Sequence, residues 1–250
     1  TIEARLGSKR LKEKLLLPIG NLKLIEFLIL RLKKSKLIDQ IVLATTNKKI
    51  DKKLVNIAKK KNINYFTGSE KNVLERVYKA AKKFDAEIIV QVSGDSPLTD
   101  PELIDRWIKI FIKNKPDILS EGWDNLPSGV TAPIINVNAL KDSIKYTKNK
   151  KDLEHVTRFI FRNPKLFKIQ KYVSKKYERY PNLQLCIDEF EDYLLVKNLI
   201  NKIKIKKLNL KNIISFIRQN QKLLKLNNSV KRKSIKEHNL YKIKHYENSH

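Results

Sequence analysis

The chain alternates between two kinds of apolar spacing. Short runs in which apolar residues crowd together, "QIVLATT" (40–46), "INYF" (63–66) and "EIIVQVSG" (87–94), have the length of buried strands. Between them, apolar residues recur at helical intervals over 22–36, 51–61 and 70–84. Strands separated by helices at this spacing predict crossover units, hence a mostly parallel, Rossmann-like α/β sheet with helices on both faces. "TDPELIDRWIKIFIKN" predicts another helix, with Asp100 as cap, Pro101 in the first turn and Leu103, Trp107, Ile108 and Phe111 as its apolar stripe. Further on, "TAPIINVNAL" (131–140) reads as a strand, "DLEHVTRFIFRN" (152–163) as a helix and "LQLCID" (183–188) as a last strand before another helix. "TIEAR" (1–5) resembles the closing residues of a first, central strand whose beginning is absent. No internal repeat or flexible linker interrupts residues 1–225, so one domain is expected there, followed by a polar, lysine-rich tail over 226–250.

The 250 residues are 41% hydrophobic and 32% charged, enough apolar material for a substantial core. The longest apolar stretch, "LIEFLIL", is far shorter than the roughly 18 residues that suggest a membrane-spanning helix. Cys186 is the single cysteine, which excludes an internal disulfide and suits a reducing cytoplasm. A formal charge of +28 invites a nucleic-acid reading. Only ten of the 54 basic residues are arginine, however, and the lysines fall on solvated helix faces such as "KKIDKKLVNIAKKKN". A specific nucleic-acid partner is therefore not expected. A protein that binds polyanions through its lysine surface remains the rival reading.

The candidate chemistry sits at strand ends, where parallel sheets place ligands. "ARLGSKRLKEK" (4–14) follows the first strand: Gly7 lets backbone approach an anion, Ser8 adds a donor, and Arg5, Arg10 and Lys14 add charge. The same residues also fit a solvated basic loop. In "VSGDSPLTDP", Gly94 leaves room for a ligand and Asp95 is either a turn residue or a hard-cation ligand. Asp188 in "LCIDEFED" is either a second such carboxylate or a helix cap. Taken together, two strand-end aspartates and a cationic glycine loop suit a magnesium nucleotide. No cysteine and histidine spacing suggests zinc. His155 is the one histidine outside the tail, and a lone helical histidine is as readily structural.

These segments resemble the CMP-sugar synthetases, cytidylyltransferases that activate acylneuraminate and 3-deoxy-octulosonate sugars, and within them the spore coat polysaccharide biosynthesis protein F branch. The resemblance rests on "ARLGSKRLKEK", "LATT" (43–46), "GSEKNVLER" (68–76), "GDSPLTDP" (94–101), "EHVT" (154–157) and "IDEFED" (187–192), in that order along almost the whole chain. It implies a nucleotidyltransferase fold, CTP as cosubstrate, Mg²⁺, a sugar acceptor and a homodimer. By motif position it implies that Ala4, Arg5, Leu6, Gly7 and Ser8 line the nucleotide site with Gly94. Arg10 and Lys14 hold the triphosphate, and Ala44 and Thr45 lie near the base. Asp95 and Asp188 bind metal, Asp95 also acting in catalysis, and Arg76 and His155 stand on the sugar side. The pattern is broken at three places. Glu3 stands for a glutamine and brings a negative charge toward the phosphate loop. Lys12-Glu13 stands for Pro-Gly, and Thr131 stands where the branch commonly has an acid. An inactive member of the family is the third reading these departures leave open.

Overall fold

The computed structural model describes residues 1–121 and 125–230. Strand β1 (Ile2–Glu3) leads through an irregular loop into the hairpin β2 (Pro18–Ile19) and β3 (Leu22–Lys23), then helix α1 (Leu24–Leu32). Next come β4 (Val42–Thr46), α2 (Lys52–Lys60), β5 (Asn64–Gly68), α3 (Val73–Lys83), β6 (Ile88–Val90) and β7 (Val92–Ser93). Helix α4 (Pro101–Asn114) precedes β8 (Ile118–Ser120), β9 (Ile134–Asn136) and α5 (Val137–Tyr146). The remainder holds α6 (Lys150–Glu154), α7 (Arg158–Arg162), β10 (Ile169–Lys171), α8 (Phe190–Lys202) and α9 (Leu210–Gln219).

One sheet has the order β5-β4-β1-β7, all parallel, with β1 central as its sequence suggests. The other has the order β10-β8-β9-β6, in which only β9 runs antiparallel to its neighbours. The run "EIIVQVSG" serves both sheets. It divides at Gln91, whose N–H turns aside to Pro133 O at 3.0 Å, so β6 joins one sheet and β7 the other. Side-chain alternation along β4 explains the helices on both faces. Val42 and Ala44 pack against Ala80 of α3, while Leu43 packs in the main core with Leu54, Ile57 and Ala58 of α2. The four lysines of α2 point to solvent, as a solvated face requires. Asp100 caps α4 as expected, accepting from the N–H groups of Glu102 and Leu103, and its second oxygen accepts from Leu210 N–H at 2.6 Å. No helix among the described residues is long and apolar enough to cross a membrane.

Four expectations need correction. The predicted helix over 22–36 begins only at Leu24, because Gly20 (φ 58°) turns the chain into the hairpin first. The strand over 131–140 is confined to Ile134–Asn136, after which Asn136 accepts from Asn138 N–H and starts α5. The helix over 152–163 is two short helices, α6 and α7, broken where His155 turns extended. "LQLCID" is no ladder strand. Its alternating Leu183, Leu185 and Ile187 are buried, but its backbone makes one isolated bridge, between Gln184 and Ser128. Of the predicted tail, residues 231–250 lie outside the described residues. Asn227, just inside them, donates to Asp192 Oδ1 at 2.9 Å and to Gln184 O at 3.2 Å.

The bridge between residues 128 and 184 depends on Gly129. Its φ is +86°, and a Cβ there would lie 2.6 Å from Cys186 N and 2.9 Å from Leu185 C. Gly129→Ala must both strain the backbone and push the 183–188 segment away. We expect it to lower stability by about 2–3 kcal/mol in urea unfolding, and a loss under about 0.5 kcal/mol would contradict the packing described.

Candidate active site

The loop after β1 is pinned at its start and open beyond. Ala4 continues the sheet by donating its N–H to Ala44 O at 3.2 Å. Leu6 is buried, and its N–H donates to Asp51 Oδ1 at 2.7 Å. The other Asp51 oxygen accepts from the Thr46 hydroxyl at the end of β4. One buried carboxylate thus ties the loop to the neighbouring strand end. Gly7 and Arg10 are exposed, Ser8 is half-buried, and Ser8 N–H closes a turn on Leu6 O at 2.9 Å. Arg5 reaches Glu70 at 3.6 Å, and Glu70 also holds Lys48 at 2.6 Å. Asp51 escaped sequence reading because it stands at a helix start, where acids are common.

Lys14 lies at the other end of the loop, buried among acids. Its Nζ donates to Asp95 Oδ2 at 2.6 Å, to Ile187 O at 2.6 Å and to Asp188 Oδ1 at 3.2 Å. Arg10 adds a second cation, with Nη2 2.7 Å from Asp188 Oδ1 and Nη1 3.6 Å from Glu189 Oε1. Gly94 makes this convergence sterically feasible. A Cβ there would lie 2.9 Å from Glu3 O, so only glycine lets β7 deliver Asp95 close against β1. The first oxygen of Asp95 accepts from Ser93 Oγ at 2.6 Å and from Cys186 Sγ at 3.1 Å, and Ile187 N–H donates to Asp95 O at 2.9 Å.

Burial works against the charge of Asp95, but Lys14 and the hydrogen bonds outweigh it and hold the carboxyl below its ordinary range. Burial likewise opposes the Lys14 charge, and Asp95, then Asp188, more than offset it, raising the pKa. Burial and both aspartates push the Cys186 thiol up, so it stays protonated as a donor. Asp188 does not cap α8. That helix is closed by Asp192, whose Oδ2 accepts from the N–H groups of Asp188 and Glu189.

The remaining predicted residues are spread around this cluster. Ala44 and Thr45 are fully buried at the end of β4, and Thr45 Oγ1 has no hydrogen-bond partner. Arg76 is also buried. Its Nη1 donates to Ser69 O at 2.5 Å, and burial, countered by Glu3, lowers its pKa. Glu3 itself does not project its charge at the loop surface as expected. Burial, opposed by Arg76, pushes its carboxyl up to about 7. Glu13, standing for the glycine of the Pro-Gly step, takes the left-handed conformation (φ 48°, ψ 29°) that glycine adopts without strain. His155 is exposed after α6, and no hydrogen bond or ion pair joins it to the loop or the acids.

A divalent cation would find hard oxygen donors where the Lys14 ammonium now bridges Asp95 and Asp188. Among the described residues no cluster of three or more ligating side chains forms a complete cage. Two carboxylates, with water and phosphate oxygens completing the shell, fit Mg²⁺ in a nucleotide site.

The chain is similar to known proteins along most of its length. Residues 1–236 match the family model described as cytidylyltransferase. An uncharacterized protein of Methanocaldococcus jannaschii is 38% identical over 236 residues, spanning 94% of this chain and 96% of that one. The spore coat polysaccharide biosynthesis protein SpsF of Bacillus subtilis is 34% identical over 209 residues, 80% of this chain and 85% of its own. Among solved structures, a cytidylyltransferase from Leptospira borgpetersenii superposes with a TM-score of 0.86 at 29% identity, covering 92% of this chain and 97% of that one.

Replacing Lys14 isolates the effect of the shared cation. Lys14→Met leaves Asp95 without its ammonium, and we expect a loss of about 3 kcal/mol near neutral pH. The lowered Asp95 pKa contributes stability that is present above the ordinary carboxyl value of 3.8 and lost as the pH falls through the folded value. The gap between wild type and variant should therefore narrow in urea unfolding as the pH falls below about 4. An unchanged gap would show that the ion pair does not carry the loss.

Proposed function

The chain belongs to the cytidylyltransferase family, and on that premise we propose that it transfers CMP from CTP to a hydroxyl of an acidic sugar, releasing pyrophosphate. The product would be an activated sugar for a surface polysaccharide or glycoconjugate. The observation that carries this reading is the convergence of Lys14 and Arg10 on Asp95 and Asp188 beside a pinned glycine loop. Such a site handles both signs of charge, as a metal nucleotide requires.

In this reading the acceptor hydroxyl, losing its proton to solvent, attacks the α-phosphorus of CTP, and the bond from that phosphorus to the oxygen bridging the β-phosphate breaks, so that this oxygen leaves with pyrophosphate. The step needs position and charge compensation more than covalent catalysis, and no protein nucleophile is involved. Arg5, Gly7 and Ser8 contact the triphosphate, and the base lies near the end of β4, where Ala44 and Thr45 are buried. Arg10 and Lys14 offset the charge that grows on the departing pyrophosphate. Asp95 and Asp188 would hold Mg²⁺, which when bound neutralises phosphate charge and makes phosphorus more electrophilic. Arg76, buried with Nη1 on Ser69 O, and the exposed His155 would stand on the acceptor side. We assign the reaction to the cytoplasm, where a free Cys186 stays reduced, and expect a homodimer.

Pyrophosphate release from CTP, assayed with a panel of octulosonic and nonulosonic acids, tests the reading. With the best acceptor, Asp95→Asn should keep the fold and lower kcat at least about a hundredfold, and Arg10→Ala at least about tenfold. Lys52→Ala and Lys59→Ala on α2 should change nothing, since isolated surface charges contribute little. Near-normal turnover in a folded Asp95→Asn protein, or equal losses at the α2 lysines, would overturn the assignment.

A further inference from the structure

Several buried carboxylates among the described residues have visible structural partners. Asp152 faces Arg158 and Arg162, and Glu178 faces Arg106, Tyr172 and the Lys175 N–H. Asp100 caps one helix and holds another. Glu121 differs from all of them. Its Oε2 accepts from Thr131 Oγ1 at 2.8 Å, and no charged group among the described residues acts on it. Among the described residues no hydrogen bond is made to its other oxygen, Oε1. Burial pushes the carboxyl up to about 7 against the pull of Thr131. An acid held this way costs stability that glutamine would not, and that cost points to a ligand.

Its position in the fold says which ligand. β8 and β6 both run antiparallel to β9, and β6 leads into β7. Glu121 therefore leaves β8 at the same rim where Asp95 leaves β7, with Thr131 approaching β9 between them. Across that rim, Asp95 separates the loop after β1 from the Glu121–Thr131 pair. The pair thus borders the side away from the loop, and Gly129 fastens the Thr131 segment to the stretch that carries Asp188.

We infer that Glu121 is a specificity-determining residue on the acceptor side, its second oxygen accepting a hydrogen bond from an acceptor hydroxyl while Thr131 fixes the carboxylate. This rests on the transferase reading above. It also narrows the acceptor: the end facing Glu121 carries hydroxyl donors, which an oxygen of this carboxyl accepts in either protonation state. Thr131 replaces the acid of the family pattern, and Glu121 returns a carboxylate to the same place.

The test is steady-state kinetics of Glu121→Gln with the best acceptor of the panel. Glutamine keeps an oxygen for Thr131 and turns a donor outward, so the acceptor KM should rise roughly ten- to a hundredfold. The KM for CTP should stay within about twofold. Thr131→Val, which unfixes the carboxylate without removing it, should raise the acceptor KM less and leave CTP alone; it serves if the glutamine variant fails to fold. An unchanged acceptor KM in a folded variant, or equal rises for both substrates, would overturn the inference while leaving the transferase reading intact. Absence of wild-type pyrophosphate release with every acceptor would overturn both.

Discussion

One ammonium group holds this site together. Lys14 Nζ meets Asp95, Ile187 O and Asp188, residues 81, 173 and 174 positions away in sequence. Bringing two carboxylates close in a partly dry place is unfavourable unless a cation lies between them. Lys14 supplies that cation, and Arg10 relieves Asp188 from the solvent side. The loop after β1, the turn after β7 and the segment before α8 are therefore one electrostatic unit. In the proposed function the same arrangement would prepare the site for a metal nucleotide, with Asp95 and Asp188 already gathered and the two cations that gather them placed to meet phosphate charge.

The rest of the rim is arranged so that this contact forms without strain at the acids. Gly94 removes the side chain that would strike Glu3 O, and Gly129 removes the one that would strike Cys186 N. Asp51 fixes the loop's first turn through Leu6 N–H, so flexibility is left to the exposed residues that follow. Strain falls instead on Glu13, which takes a glycine conformation and is steadied by Lys53 at 2.8 Å from its carboxylate.

Much of this was legible because local chemistry repeats it. The Asp100-Pro101 start of α4, the buried run of β4 and the central place of β1 each follow from residues that have few alternatives. "LQLCID" was half legible. Its period of two correctly buried Leu183, Leu185 and Ile187, but period alone does not say whether a neighbouring strand is long enough to pair. The acids at 95 and 188 could be suspected from their place after apolar runs. Their bond to Lys14 could not, because it depends on how distant strand ends meet. Asp51 and Glu121 had no signal beyond being acids near strand ends, and His155, quoted for its motif, stands in the structure without a bond to the cluster.

The central claim is that residues 4–14 with Asp95 and Asp188 form a site for one nucleotide rather than a docking surface for polyanions. Thermal unfolding with ligand measures this directly. At roughly one hundred times its dissociation constant, CTP with Mg²⁺ should add about 2.7 kcal/mol of stability by mass action. CMP and inorganic triphosphate should do much less at equal concentration, and moderate salt should leave most of the CTP effect in place. Stabilisation that is the same for CTP and triphosphate, larger for heparin and abolished by salt would contradict the account.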